Sequence, residues 1–133
     1  MSISLDTAQA MVERARVQAA ALDVPTNIAV VDGGGDLLAF ARMDGAILGS
    51  IDIAPAKAKT SILFNGPSEN LRDFCRPGGP APATEYTNGS LIPYAGGVAL
   101  HEEAGVLTGA IGVCGGMPDQ DGEVARAGIA AHD

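Results

Sequence analysis

Apolar residues recur at three- and four-residue spacing through Ala8, Val12, Ala15, Ala19 and Leu22, with Arg14, Arg16 and Gln18 among the outward positions. That period predicts an amphipathic helix lying on a sheet. Ser4 supplies a cap before it, and Asp23-Val24-Pro25 ends it because Pro25 disfavours helix at the preceding residue. The pattern then changes. Residues 27–31 and 37–42 read as two strands, and Asp32 to Asp36 between them tolerate the positive φ of a tight turn. The two strands are expected to pair antiparallel, and the continuous run Ile28-Ala29-Val30-Val31 implies cover on both faces.

A second helix is expected to start near Ser50 to Asp52, with Pro55 in its first turn, where the missing N–H has no helical partner to lose. Ala54, Ala58 and Ile62 form its inward stripe, Lys57 flanks it, and Asn65-Gly66-Pro67 stops it. Residues 68–75 predict a short further helix. Residues 76–90 hold Pro77, Gly78, Gly79, Pro80, Pro82, Asn88 and Gly89, a long irregular connection of the kind that often carries function. Residues 92–100 lead into a third strand, His101 to Gly105 make a polar turn, and 106–114 return as a fourth, thinned by Gly109 and Gly112. Pro118 opens a last helix whose Asp119, Asp121 and Glu123 complement the dipole, with Val124, Ala127 and Ala131 inward. Helix, strand, strand, helix, loop, strand, strand, helix is the order of an α+β layered domain built on an antiparallel sheet.

At 133 residues the chain is expected to be one domain, 1–133, and 47% apolar residues argue against disorder. No run reaches the length of a membrane span, and the start lacks the basic-then-apolar pattern of a secretory leader. A net charge of -8 argues against nucleic acid and anionic membrane as partners. Yet five of the eight basic residues, Arg42, Lys57, Lys59, Arg72 and Arg76, fall between 42 and 76. They either attract an anionic ligand or pair on the surface with Asp44, Asp52, Glu69 and Asp73. Cys75 and Cys114 form no CxxC pattern, so no metal set is expected and a reduced, cytoplasmic protein fits best.

Lys57 stands first among candidate catalytic residues. Near a helix start and partly desolvated, its neutral amine is favoured, which suits acid/base or imine chemistry. Asp44 is the candidate to orient it, and an ion pair between the two is the plainer alternative. Arg42 is a candidate for a two-pronged grip on a ligand carboxylate. Gly96-Gly97 and Gly115-Gly116 offer backbone N–H groups to an anion or simply make turns. Cys114, beside the last helix start, has the setting of a reactive thiol. Glu85 and Tyr94 flank the irregular loop and are ligand-binding candidates. His101 and His132 are the only histidines, both placed at the surface.

The ordered set Val31-Asp32-x-Gly34-Gly35-x-Leu37, Arg42-Met43-Asp44-Gly45-Ala46, Ala54-x-x-Lys57-Ala58, Gly96-Gly97-Val98 and Gly109-Ala110-Ile111-Gly112-Val113-x-Gly115-Gly116, then Asp121 and Ala125, resembles the GlcG/HbpS family, which includes the C-terminal domain of PduO-type proteins. The resemblance implies a profilin-like fold, a five-stranded antiparallel sheet with helices on both faces. It also implies homo-oligomers from dimer to octamer, with haem as the cofactor some members bind and catabolic operons as the setting of others. The chain departs from the family pattern at Cys114, where many members have Ser, at Met117, which replaces a capping Ser or Thr, and across 76–90. The function expected is an oligomeric small-ligand-binding protein that takes an anionic organic molecule, with haem the named candidate. The alternative is a cofactor-independent acid/base enzyme, an isomerase, tautomerase or imine hydrolase acting on a carboxylated metabolite. A third is a purely structural partner of a catabolic enzyme.

Overall fold

The computed structural model describes residues 2–130. Helix α1 (Leu5–Ala21) is capped by Ser4, whose hydroxyl accepts the Thr7 N–H at 3.1 Å, and it buries Ala8, Met11, Val12, Ala15 and Ala19. Strands β1 (Asn27–Asp32) and β2 (Leu37–Arg42) form the expected hairpin. Its turn is held by the Asp32 carboxylate, which accepts the N–H groups of Gly34 and Asp36 at 2.9 and 3.0 Å, while Gly35 takes a φ of +87°. Helix α2 (Ser50–Leu63) follows, with Pro55 beyond its first turn, where it forfeits one backbone hydrogen bond. Residues 68–75 divide into a 3-10 turn (Ser68–Leu71) and the single-turn α3 (Arg72–Cys75). Strands β3 (Gly97–His101) and β4 (Leu107–Cys114) form the second hairpin, and α4 (Pro118–Ala130) ends the described chain. Of the inward residues expected on α4, Val124 is buried and Ala127 half-buried. Ala131 and His132 lie outside the described residues.

The sheet has the order β2-β1-β4-β3, antiparallel throughout. It therefore has four strands among the described residues, as the order of apolar runs predicts, and not the five implied by the family resemblance. The reason lies between α3 and β3. Gly78, Ala83, Asn88, Gly89 and Ser90 all have positive φ there, and prolines at 77, 80, 82 and 93 remove backbone donors, so the stretch cannot hold a ladder.

The two faces of the sheet are built differently. Ile28, Val30, Ile111 and Val113 fill the side covered by α1 and α4, together with Met11 and Val124. The side covered by α2 carries Ala29, Ala99, Ala110 and glycines, which pack against Ala54, Ala58 and Ile62. Gly112 and Gly97 make that closeness possible: a Cβ on Gly112 would overlap the Ala54 carbonyl oxygen, and one on Gly97 the Lys57 carbonyl oxygen. Small residues thus bring α2 down onto β4 and β3. No described helix is long and apolar enough to cross a membrane.

Candidate functional site

Lys57 lies about two turns inside α2, so the helix-start dipole expected to act on it does not apply. It falls on the inward stripe with Ala54, Ala58 and Ser61 and is 0% exposed. Its Nζ donates to the Val113 carbonyl at 2.9 Å and to Asp121 Oδ2 at 3.1 Å. Asp121, 1% exposed, belongs to α4, the helix on the opposite face of the sheet. Its other oxygen, Oδ1, accepts the Gly116 N–H at 2.8 Å. One buried ion pair therefore links the two helical layers beside the end of β4. Burial of two charges is tolerable only where geometry and further hydrogen bonds replace lost water, and three hydrogen bonds do so here.

The segment before β3 closes over this pair. The Tyr94 ring centroid is 5.0 Å from Lys57 Nζ, a cation–π contact. Gly96, at φ +131°, leaves no room for a side chain: its Cβ would lie 2.5 Å from both Lys57 Nζ and the Val113 carbonyl. Ser68 fixes the segment by donating to the Tyr94 carbonyl at 2.7 Å and accepting the Gly97 N–H at 2.9 Å. Thr60 adds a tie by accepting the Ile92 N–H at 3.0 Å. Burial pushes the Tyr94 phenol above its ordinary pKa, and the nearby Asp121 carboxylate adds to the shift. Cys114 is buried and free of any disulfide. It lies opposite Asn27 in the ladder; the Asn27 Oδ1 is buried without a partner while its Nδ2 donates to the Ile47 carbonyl.

Lys57, Tyr94, Gly96, Gly97 and Cys114 thus gather at one end of the sheet. Arg42 and Asp44 do not join Lys57. Both are exposed, and the salt bridge of Lys57 is with Asp121, not Asp44. Arg42 ends β2, two strands from Cys114 and roughly 10 Å away by strand spacing. Glu85 also stands apart, in the 3-10 turn Thr84–Tyr86, where its negative charge adds to burial in pushing the Cys75 thiol upward. Asp121 and Ser68 are the functional neighbours that sequence reasoning missed. Asp121 had a signal: it shares the spacing of Val124, Ala125 and Gly128, so a carboxylate sits on an apolar stripe. Ser68 had none.

Lys57 is sealed from solvent. An open cleft of about 820 Å³ lies around His101, with Ser2, Ile3, Thr7, Glu102 and Thr108 on its walls. Among the described residues no three His, Cys, Asp or Glu side chains are grouped to hold a metal ion.

Residues 3–130 match the family described as "Haem degrading protein HbpS-like". The chain belongs to this HbpS-like family. Among curated HbpS-like relatives, the corrinoid adenosyltransferase PduO of Citrobacter freundii is 33% identical over 98% of this chain but only 39% of its own length. The PduO of Salmonella typhimurium is 35% identical over 92% and 35%. The chain therefore spans well under half of those two proteins. A 15.0 kDa Citrobacter freundii protein from the dhaT-dhaS intergenic region matches over 84% of its length at 33% identity. Among solved structures, a PduOC:haem complex superposes with a TM-score of 0.92 at 31% identity, covering 98% of this chain and 95% of that one. A double mutant of Streptomyces reticuli HbpS superposes with a TM-score of 0.92 at 30% identity, covering 100% and 88%.

Proposed function

We propose that this chain is one HbpS-like domain that assembles into homo-oligomers and binds a small anionic organic molecule, with haem as the candidate ligand. What carries the reading is the superposition on the PduOC:haem complex across 98% of the chain. What supports an anionic ligand is Arg42, exposed at the same end of the sheet as Tyr94 and Cys114.

In this reading haem does not contact Lys57 or Asp121, which are sealed and paired with each other. The His101 cleft offers an imidazole, but Glu102 and Glu103 on its wall repel the propionates of the macrocycle. The pocket in this reading is completed by a second copy. Lys57 then acts as a positioning residue, holding the Gly96 and Gly116 turns through Val113 and Asp121, rather than as an acid/base group. The acid/base alternative needs an accessible amine, and Lys57 is sealed.

Titration with hemin, followed in the Soret band, tests the ligand. A saturable shift at a fixed ratio of hemin to chain supports the reading. A spectrum that stays that of free hemin through micromolar titration removes haem as the ligand.

A further inference from the structure

Asn-Gly occurs twice in the chain, at Asn65-Gly66 and Asn88-Gly89. In this pair an asparagine reacts most readily with its own backbone, because glycine has no side chain to shield the next peptide nitrogen. That nitrogen attacks the asparagine Cγ. Its proton leaves on the side-chain amide nitrogen, the bond from Cγ to that nitrogen breaks, and ammonia departs from a cyclic imide. Water then opens the imide at one carbonyl or the other, giving aspartate or isoaspartate. No cofactor or oxidant enters, so the fold decides which of the two sites reacts.

The sites differ in what holds the attacking nitrogen. Asn65 follows the end of α2 at φ +64°, and the buried Gly66 N–H donates to the Ser61 carbonyl at 3.1 Å, the closing bond of a helix C-terminus. Attack from that nitrogen requires the bond to be given up. Asn88 lies exposed at the tip of the irregular loop, at φ +54°, and the Gly89 N–H has no hydrogen-bond partner among the described residues. Lys59 Nζ donates to the Asn88 backbone carbonyl at 3.0 Å. That carbonyl belongs to the same peptide group as the Gly89 nitrogen. A cation on the oxygen stabilises the anion formed when the nitrogen gives up its proton, so Lys59 activates the nucleophile. Lys59 is half-buried on α2, in a groove of about 170 Å³ that Asn88, Gly89 and Asp52 also line.

We propose that Asn88 is a self-modifying site, converted to aspartate and isoaspartate by attack of the Gly89 nitrogen, with Lys59 activating the peptide between them. The product sets a new carboxylate beside Lys59, in the groove it shares with Asp52, so the charge where the loop meets α2 changes as the protein ages. Incubation of the folded chain at mildly alkaline pH in water enriched in heavy oxygen, followed by peptide mass mapping, tests it. Label is expected at residue 88, with isoaspartate among the products, while residue 65 stays an amide. In denaturant, where neither nitrogen is held, both residues are expected to react. Lys59→Met keeps the apolar stem and removes the charge. It is expected to slow the folded-state reaction at Asn88 roughly tenfold, the size expected of one nearby cation on a developing anion, and to leave the rate in denaturant unchanged. Should Lys59→Met fail to fold, Lys59→Gln carries the same comparison. Asn88 left intact in the folded chain over a time that converts it in denaturant overturns the site. So does equal conversion of Asn65 and Asn88 in the folded chain. A folded Lys59 variant that converts as fast as the wild type overturns the part given to Lys59.

Discussion

Arg42 and Asp44 on the one hand, and the paired Lys57 and Asp121 on the other, set a cation and a carboxylate on one small sheet in opposite surroundings. Arg42 and Asp44 lie exposed at the rim. The second is dry, joins helices on opposite faces of the sheet, and has glycine-cleared backbone pressed against it. Rim charges are screened and contribute little to folding, whereas buried ones are costly to leave unpaired. The comparison teaches that Lys57 holds the end of the sheet together, while Arg42 and Asp44 are free to meet something outside it.

The comparison breaks most visibly at the buried pair. Lys57→Ala strands the Asp121 carboxylate in the interior, and a loss of about 3–5 kcal/mol in denaturant unfolding is expected. Gly112→Ala comes next. Its Cβ must push α2 away from β4, for about 2–3 kcal/mol in the same measurement. Ser68→Ala removes the two hydrogen bonds that hold Tyr94 and Gly97 and is expected to cost about 1–2 kcal/mol. Arg42→Ala and Asp44→Ala are expected to stay within about 0.5 kcal/mol in a chain kept dilute enough to be monomeric.

A pH prediction sharpens the buried side. Because the folded state raises the Tyr94 pKa, the native state favours the protonated phenol. Its contribution is complete below the unfolded value of about 10 and is lost as pH rises through the raised value. In a Tyr86→Phe chain, where Tyr94 is the only tyrosine, the absorbance titration of the folded protein should have its midpoint above that of the unfolded protein in denaturant.

Much of the fold was legible in the residues. The stripe at Ala8, Val12, Ala15 and Ala19 located α1, the Asp32-to-Asp36 turn set the first hairpin, and the order of apolar runs implied four strands where the family pattern suggested five. The candidate site was legible only in part. Lys57, Tyr94, Gly96, Gly97 and Cys114 do come together. Arg42 and Asp44 were grouped with Lys57 because they are near in sequence, but β2 lies two strands from β4, so residues close along the chain end up about 10 Å apart. The partner that decides the character of Lys57 comes from α4, and β1–β4 pairing, which no local pattern encodes, puts the end of β4 and the start of α4 at that place. Glu85 faces Cys75 for the same reason: the path of a loop with five positive-φ residues is set by tertiary contacts, not by its composition.

The loss of the usual cap residue at Met117 also has a structural answer that the sequence concealed. Gln120 accepts the Met117 N–H at 3.0 Å and Asp121 accepts that of Gly116, so side chains from inside α4 reach back to its open end. Asp121 thereby serves the helix start and Lys57 at once, which is how a carboxylate is accommodated on a buried stripe.

A double-mutant cycle between Lys57 and Asp121, with a parallel cycle between Lys57 and Asp44, measures most directly which carboxylate Lys57 is coupled to. Stability of the single and double alanine variants gives each coupling energy. The structure predicts a coupling of about 2–3 kcal/mol for Lys57 with Asp121 and none beyond error for Lys57 with Asp44. Equal couplings, or a Lys57→Ala chain as stable as the wild type, would contradict it.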